Sequence, residues 1–189
     1  MRQLRRARAV RPAANCGSSR SRPEAIVNER TVEIHRDSGM RLVVRTGSGH
    51  ELVVDDRDGD SGPRPTELVV AGLGACAAMD VVSILRKKRQ EFARFDVHVR
   101  ASQRDEYPQI FTSIELVIEV EGPGVSVAAV RQAIELAATK YCSVSAMLAA
   151  GATEIHHRYR VIGTGPIPFD EAGEVRVSGP FARPEAIQG

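Results

Sequence analysis

Three short apolar-polar stretches open the pattern. Thr31–Arg36, Arg41–Thr46 and Glu51–Asp55 alternate or are rich in β-branched residues. Asp37-Ser38-Gly39 and Gly47-Ser48-Gly49 separate them, which predicts a three-stranded meander. A polar loop runs from Asp55 to Pro65, and its Gly and Asp content marks it as mobile or ligand-facing. Pro65 suits the first position of a helix, and Glu67 its first turn, where free amides favour a negative charge. No residue from Leu68 to Met79 is charged, and the segment ends in a basic cluster at 86–89. A helix apolar on nearly all sides expects cover all round, from a sheet or a second subunit. Leu68–Leu85 is just long enough to span a bilayer. Asp80 lies inside it, however, and Gly72 and Gly74 lower its hydropathy, so a buried core helix is the reading.

The second half carries the clearest strand signal. Phe95, Val97, Val99 and Ala101 alternate with polar residues, and after a turn near Pro108 so do Ile114, Leu116, Ile118 and Val120. This predicts an antiparallel hairpin with one buried face. An amphipathic helix follows over Ser126–Tyr141, with Val127, Val130, Ile134, Ala137 and Tyr141 on one stripe. Cys142-Ser143 interrupts it. Val144–Ala150 forms a short third helix closed by Gly151, and Thr153–Ile162 a last strand. Residues 163–189 hold five Gly and four Pro, which reads as loop with a brief strand at Glu174–Val177. The order β-β-β-α-β-β-α-α-β indicates an α+β fold with antiparallel sheets.

Charge changes the picture at one end only. The formal net charge of +2 over 189 residues hides seven Arg and no acid in residues 1–22. The remainder has 19 basic against 24 acidic residues. Residues 1–28 therefore read as an Arg-rich disordered leader, outside a domain at 29–163 and a Gly/Pro-rich tail at 164–189. A transit peptide or an RNA-binding arm would share that composition, but the leader has no apolar core of a secretory signal. The acidic body lacks the basic-aromatic interleaving of nucleic-acid binding. Three Cys are too few for a disulfide scaffold, and with no signal they suit a cytoplasmic setting.

Cys16 falls in the leader, so Cys76 and Cys142 are the two thiols of the body. Neither is in a CxxC, and adjacent His156 and His157 point to opposite faces of a strand. No four-ligand metal set exists, and no cofactor is expected. By residue type alone, each Cys reads as a small buried hydrophobe.

The surroundings of the cysteines say more. GPRPTELVVAGLGACAAMD (62–80) and KYCSVSAML (140–148), with the second Cys 66 residues after the first, resemble the OsmC/Ohr family of osmotically inducible and organic hydroperoxide resistance proteins. The resemblance covers about Thr31 to Gly163. It implies an intertwined homodimer in which sheets of both subunits enclose long central helices. It also implies a thiol-dependent peroxidase for organic hydroperoxides. Cys76 would attack the peroxide and become a sulfenic acid, and Cys142 would resolve it as a disulfide. A lipoyl group or another dithiol would then restore the pair. The family's activating groups are an Arg from the N-terminal hairpin, matched best by Arg41 over Arg36, and a Glu ten residues before the first Cys. Here that position is Thr66, and Glu67 is nine before, about 180° around an ideal helix from Cys76. Arg41 and Glu67 are thus the expected activators. Asp80, one turn past Cys76, would oppose a thiolate if ionised. The alternatives are a family-fold protein that binds a small apolar or thiol ligand, a redox sensor, and a structural dimer with packing cysteines.

Overall fold

The structure, a computed structural model, describes residues 29–177. The expected Arg-rich leader and residues 178–189 lie outside them. β1 (Val32–Ser38), β2 (Arg41–Thr46) and β3 (Glu51–Val54) form the expected antiparallel meander. Gly39 and Gly49 take φ of +50° and +85° in its turns, a region that glycine enters without steric cost. Val32 and Ile34 remain exposed on this sheet.

The loop after β3 is not loose. It folds around Asp55, which is buried. Its carboxylate accepts bonds from the Ser61 hydroxyl at 2.6 Å, the Ser61 amide at 3.2 Å and the Asp56 amide at 2.9 Å. These bonds, that from the Ser61 side chain foremost, hold its pKa below the ordinary carboxylate value.

Helix α1 (Pro65–Lys87) spans 23 residues, about 35 Å at 1.5 Å per residue. Leu73, Ala77, Val81 and Leu85 recur every four residues and are fully buried. They pack on the apolar face of the second sheet. Gly74 lies under β4: a Cβ there would come within 2.9 Å of the Val99 side chain. The expectation of cover all round is met on this face only. Within one chain Met79 is 75% exposed on the opposite face, and Val69, one turn before Leu73 on the same row, is 41% exposed. The helix is long and apolar enough to cross a membrane by composition, but its buried stripe is part of a two-layer core.

That second sheet has the order β4 (Arg94–Gln103), β5 (Phe111–Gly122), β6 (Glu154–Gly163), β7 (Phe169–Val175). It is mixed, not antiparallel as expected. β5 and β6 run parallel from Ser113↔Glu154 to Gly122↔Gly163. The reason is the intervening helical segment, since a crossover returns the chain to the same edge in the same direction. Ile114, Leu116, Ile118 and Val120 are fully inaccessible, as the alternation requires. The outer face carries ion pairs, among them Arg158–Glu115 at 2.8 Å and Arg160–Asp170 at 2.7 Å.

The crossover differs from its sequence reading. α2 (Val127–Leu136) stops short, and Ala137–Tyr141 forms one π-turn before α3 (Ser143–Ala149). The wider turn rotates later residues off the stripe. Ala137 is therefore buried but Tyr141 is 51% exposed. β7 lies where Gly and Pro content suggested mostly loop. It pairs with β6 from Gly163↔Phe169 to His157↔Val175, so the ordered fold continues past Gly163.

Candidate functional site

Cys76 sits three turns into α1, beside the buried Leu73–Ala77 ridge, and is half-buried. Cys142 is buried at the junction of the π-turn and α3. Its amide donates to the Ala137 carbonyl at 2.8 Å, closing the wide turn. Its Sγ accepts the Ser145 amide at 3.4 Å. The thiol thus takes the place of the usual oxygen at a helix N-cap. Both cysteines are free thiols. Leu73, Ala77, Ile114 and Leu116 form one buried cluster with Cys142, and Cys76, Val99 and Leu148 pack against it.

Asp80 completes the group. One carboxylate oxygen of Asp80 and the two sulfurs lie within 4.8 Å of one another. Asp80 follows Cys76 by one helical turn, so the two share a face. Its Oδ2 is shut from solvent and has no hydrogen-bond partner. Burial raises the Asp80 carboxyl above the ordinary carboxylate value. Burial likewise pushes the Cys142 thiol up, against the bonds from Ser145, and the nearness of Cys76 adds to the rise. Among the described residues, these three are also the group whose donors could share a metal ion, and two sulfurs would favour a thiophilic cation of the zinc type.

The other expected residues lie elsewhere within one chain. Arg41 pairs with Asp37 across the β1–β2 turn and contributes to the lowered pKa of Asp55. The competing Arg36 donates to the Gly39 carbonyl at 2.8 Å. Glu67 accepts the Arg64 amide at 2.8 Å, which fastens the start of α1, and Arg64 pairs with Asp60 at 2.8 Å. The His residues are not ligands to this pocket. His157 is buried in β6 and His156 faces Glu154 and Glu174 at 3.7 and 3.8 Å. Asp80, read from the sequence only as a charge one turn past Cys76 that would oppose a thiolate, is the residue that sequence reasoning did not place in the site. The signal was its four-residue spacing from Cys76.

The chain has relatives of known family and fold. Residues 57–158, which contain both cysteines and Asp80, match the family model described as OsmC-like protein. Protein YhfA of Escherichia coli K12 is 41% identical over 124 residues, covering 66% of this chain and 92% of that one. A hypothetical protein from Aquifex aeolicus has a crystal structure 30% identical, with a TM-score of 0.64 over 71% of this chain and 97% of its own. An organic hydroperoxide resistance protein OsmC from Legionella pneumophila shares the fold at 16% identity, with a TM-score of 0.53 over 73% of this chain and 98% of its own. The chain belongs to the OsmC-like protein family.

Proposed function

We propose that the protein is a thiol-dependent peroxidase that reduces organic hydroperoxides through Cys76 and Cys142. The observation that carries this reading is the pair itself. Two free thiols from different elements meet beside an apolar cluster, one half-buried and one buried. The half-open Cys76 is the one a substrate reaches first. The buried Cys142 holds its proton and stands where a sulfenic acid on Cys76 would condense with it. The apolar walls favour an alkyl or aryl hydroperoxide over hydrogen peroxide. A lipoyl group or similar dithiol then reduces the disulfide. Relatives in the same fold carry names in organic hydroperoxide resistance.

The working unit in this reading is a homodimer in a reducing cytoplasm. Two sets of exposed apolar side chains support it: Val69 and Met79 on α1, and Val32 and Ile34 on β1. Large apolar patches on one chain mark an interaction surface. Arg41 activates Cys76 only if such a dimer brings a β1–β3 sheet over the pocket. Glu67 acts at the helix start.

Thiol counting tests the peroxidase reading. One equivalent of cumene hydroperoxide should remove two of the three thiols per chain, leaving Cys16. Cys76→Ser should lose none. Cys142→Ser should stop at a sulfenic acid that dimedone traps. A wild-type protein that keeps all three thiols contradicts the reading and leaves the ligand-binding alternative standing.

A further inference from the structure

A two-thiol cycle must move protons twice. In the first half, the Cys76 thiolate attacks the terminal oxygen of ROOH. The O–O bond breaks, the sulfur is oxidised to Cys76–S–OH, and RO⁻ departs. In the second half, the Cys142 sulfur attacks the Cys76 sulfur. The S–S bond forms, hydroxide departs, and the Cys142 thiol gives up a proton. Alkoxide and hydroxide are both poor leaving groups in an apolar pocket unless a proton meets them there.

Asp80 is placed to supply it. Its carboxylate lies within 4.8 Å of both sulfurs, so one group serves both halves. In an in-line attack the leaving oxygen lies one O–O bond beyond the attacked one. A donor for it therefore stands off the sulfur and not against it. Asp80 Oδ2 is buried with no partner, and no cation pairs with Asp80 among the described residues. An ionised carboxylate there has one oxygen shut from water and unpaired, and it also opposes the Cys76 thiolate. A carboxyl carrying one proton does neither. Burial favours that form.

We propose that Asp80 is the proton carrier of this site, a role that rests on the peroxidase reading above. The Asp80 carboxyl protonates the departing alkoxide, giving ROH and a carboxylate. The carboxylate takes the Cys142 proton and hands it to the departing hydroxide, giving water. Reduction by an external dithiol returns two hydrogens to the cysteines. One of these protons passes from Cys76 to the Asp80 carboxylate, which restores the thiolate and the carboxyl of the starting state.

Two single-turnover reactions on the reduced full chain separate this role from a structural one. Iodoacetamide alkylates Cys76 with loss of iodide, which needs no proton. Cumene hydroperoxide oxidises the same sulfur with loss of an alkoxide, which does. Asp80→Asn should slow oxidation by about 100-fold while alkylation stays equal, because Cys76 faces a neutral side chain in both proteins. Asp80→Glu should recover part of the oxidation rate. Oxidation as fast in Asp80→Asn as in wild type overturns this inference alone. An equal slowing of both reactions also overturns it, since that marks disturbed packing around Cys76. A wild-type protein that is alkylated normally but inert to the hydroperoxide overturns the peroxidase reading and this inference with it.

Discussion

Acid should destabilise the protein through one side chain, His157. It lies on the covered face of β6 and is 3% exposed. Burial, with a smaller push from His156, lowers its pKa from 6.5 to about 4. The folded state therefore holds a neutral imidazole, while the unfolded chain takes up a proton near pH 6.5. The stabilisation is complete above that pH and is lost as pH falls toward 4. At 1.36 kcal/mol per pKa unit the gap is worth about 3 kcal/mol. Urea unfolding at pH 7 and pH 4, on wild type and His157→Leu, isolates the effect. The leucine variant stays apolar at both pH values, so wild type should lose about 3 kcal/mol more than the variant over this range. Asp55 and Asp170, both held below the ordinary carboxylate value, lose their contribution at lower pH. They do so in both proteins and cancel in the comparison. Equal acid losses in the two proteins would refute the reasoning, because His157 would then be ionising without leaving the core.

Other expectations follow from the same geometry. Leu73→Ala empties a fully buried position at the floor of the thiol pocket. It should cost about 3 kcal/mol and lower the thermal midpoint by about 10 °C in calorimetry. Arg160→Ala removes an exposed pair with Asp170, and denaturant unfolding should register less than about 1 kcal/mol. Iodoacetamide followed by peptide mapping at neutral pH should label Cys76 well before Cys142, whose buried thiol resists ionisation. Sedimentation should show a dimer at micromolar concentration, and Met79→Glu on the exposed side of α1 should shift it toward monomer.

The legible parts of the sequence were those fixed by period and punctuation. The alternation at Ile114–Val120 and the Gly-bearing turns of the meander placed their strands nearly to the residue. The charge-free run after Pro65 placed α1. Positions set by long-range partners were less visible. The parallel β5–β6 pairing depends on how the crossover helices pack, which no local pattern encodes. β7 (Phe169–Val175) has little strand propensity of its own and is held by β6, so it read as loop except at Glu174 and Val175, where the brief strand expected at Glu174–Val177 overlaps it. The π-turn at Ala137–Tyr141 inserts into a regular helical stripe without a warning residue. At the site, the family-like spacing marked both cysteines, and the fold brings them together. Arg41 was the better of two hairpin arginines and Glu67 stood one residue off the motif's acid, and their side chains are occupied by Asp37 and by the helix start. Asp80 drew notice only as a charge in an apolar helix. Its meeting with Cys142 needed the fold, because 62 residues separate them.

The central claim is that Cys76 and Cys142 form one redox couple. Peptide mapping by mass spectrometry, after reduced full-length protein meets one equivalent of cumene hydroperoxide, tests it most directly. The account predicts a single linked species joining the Cys76 and Cys142 peptides, reversed by a dithiol, with Cys16 left free. Both peptides recovered as unlinked thiols, or Cys76 linked to Cys16 instead, would contradict it.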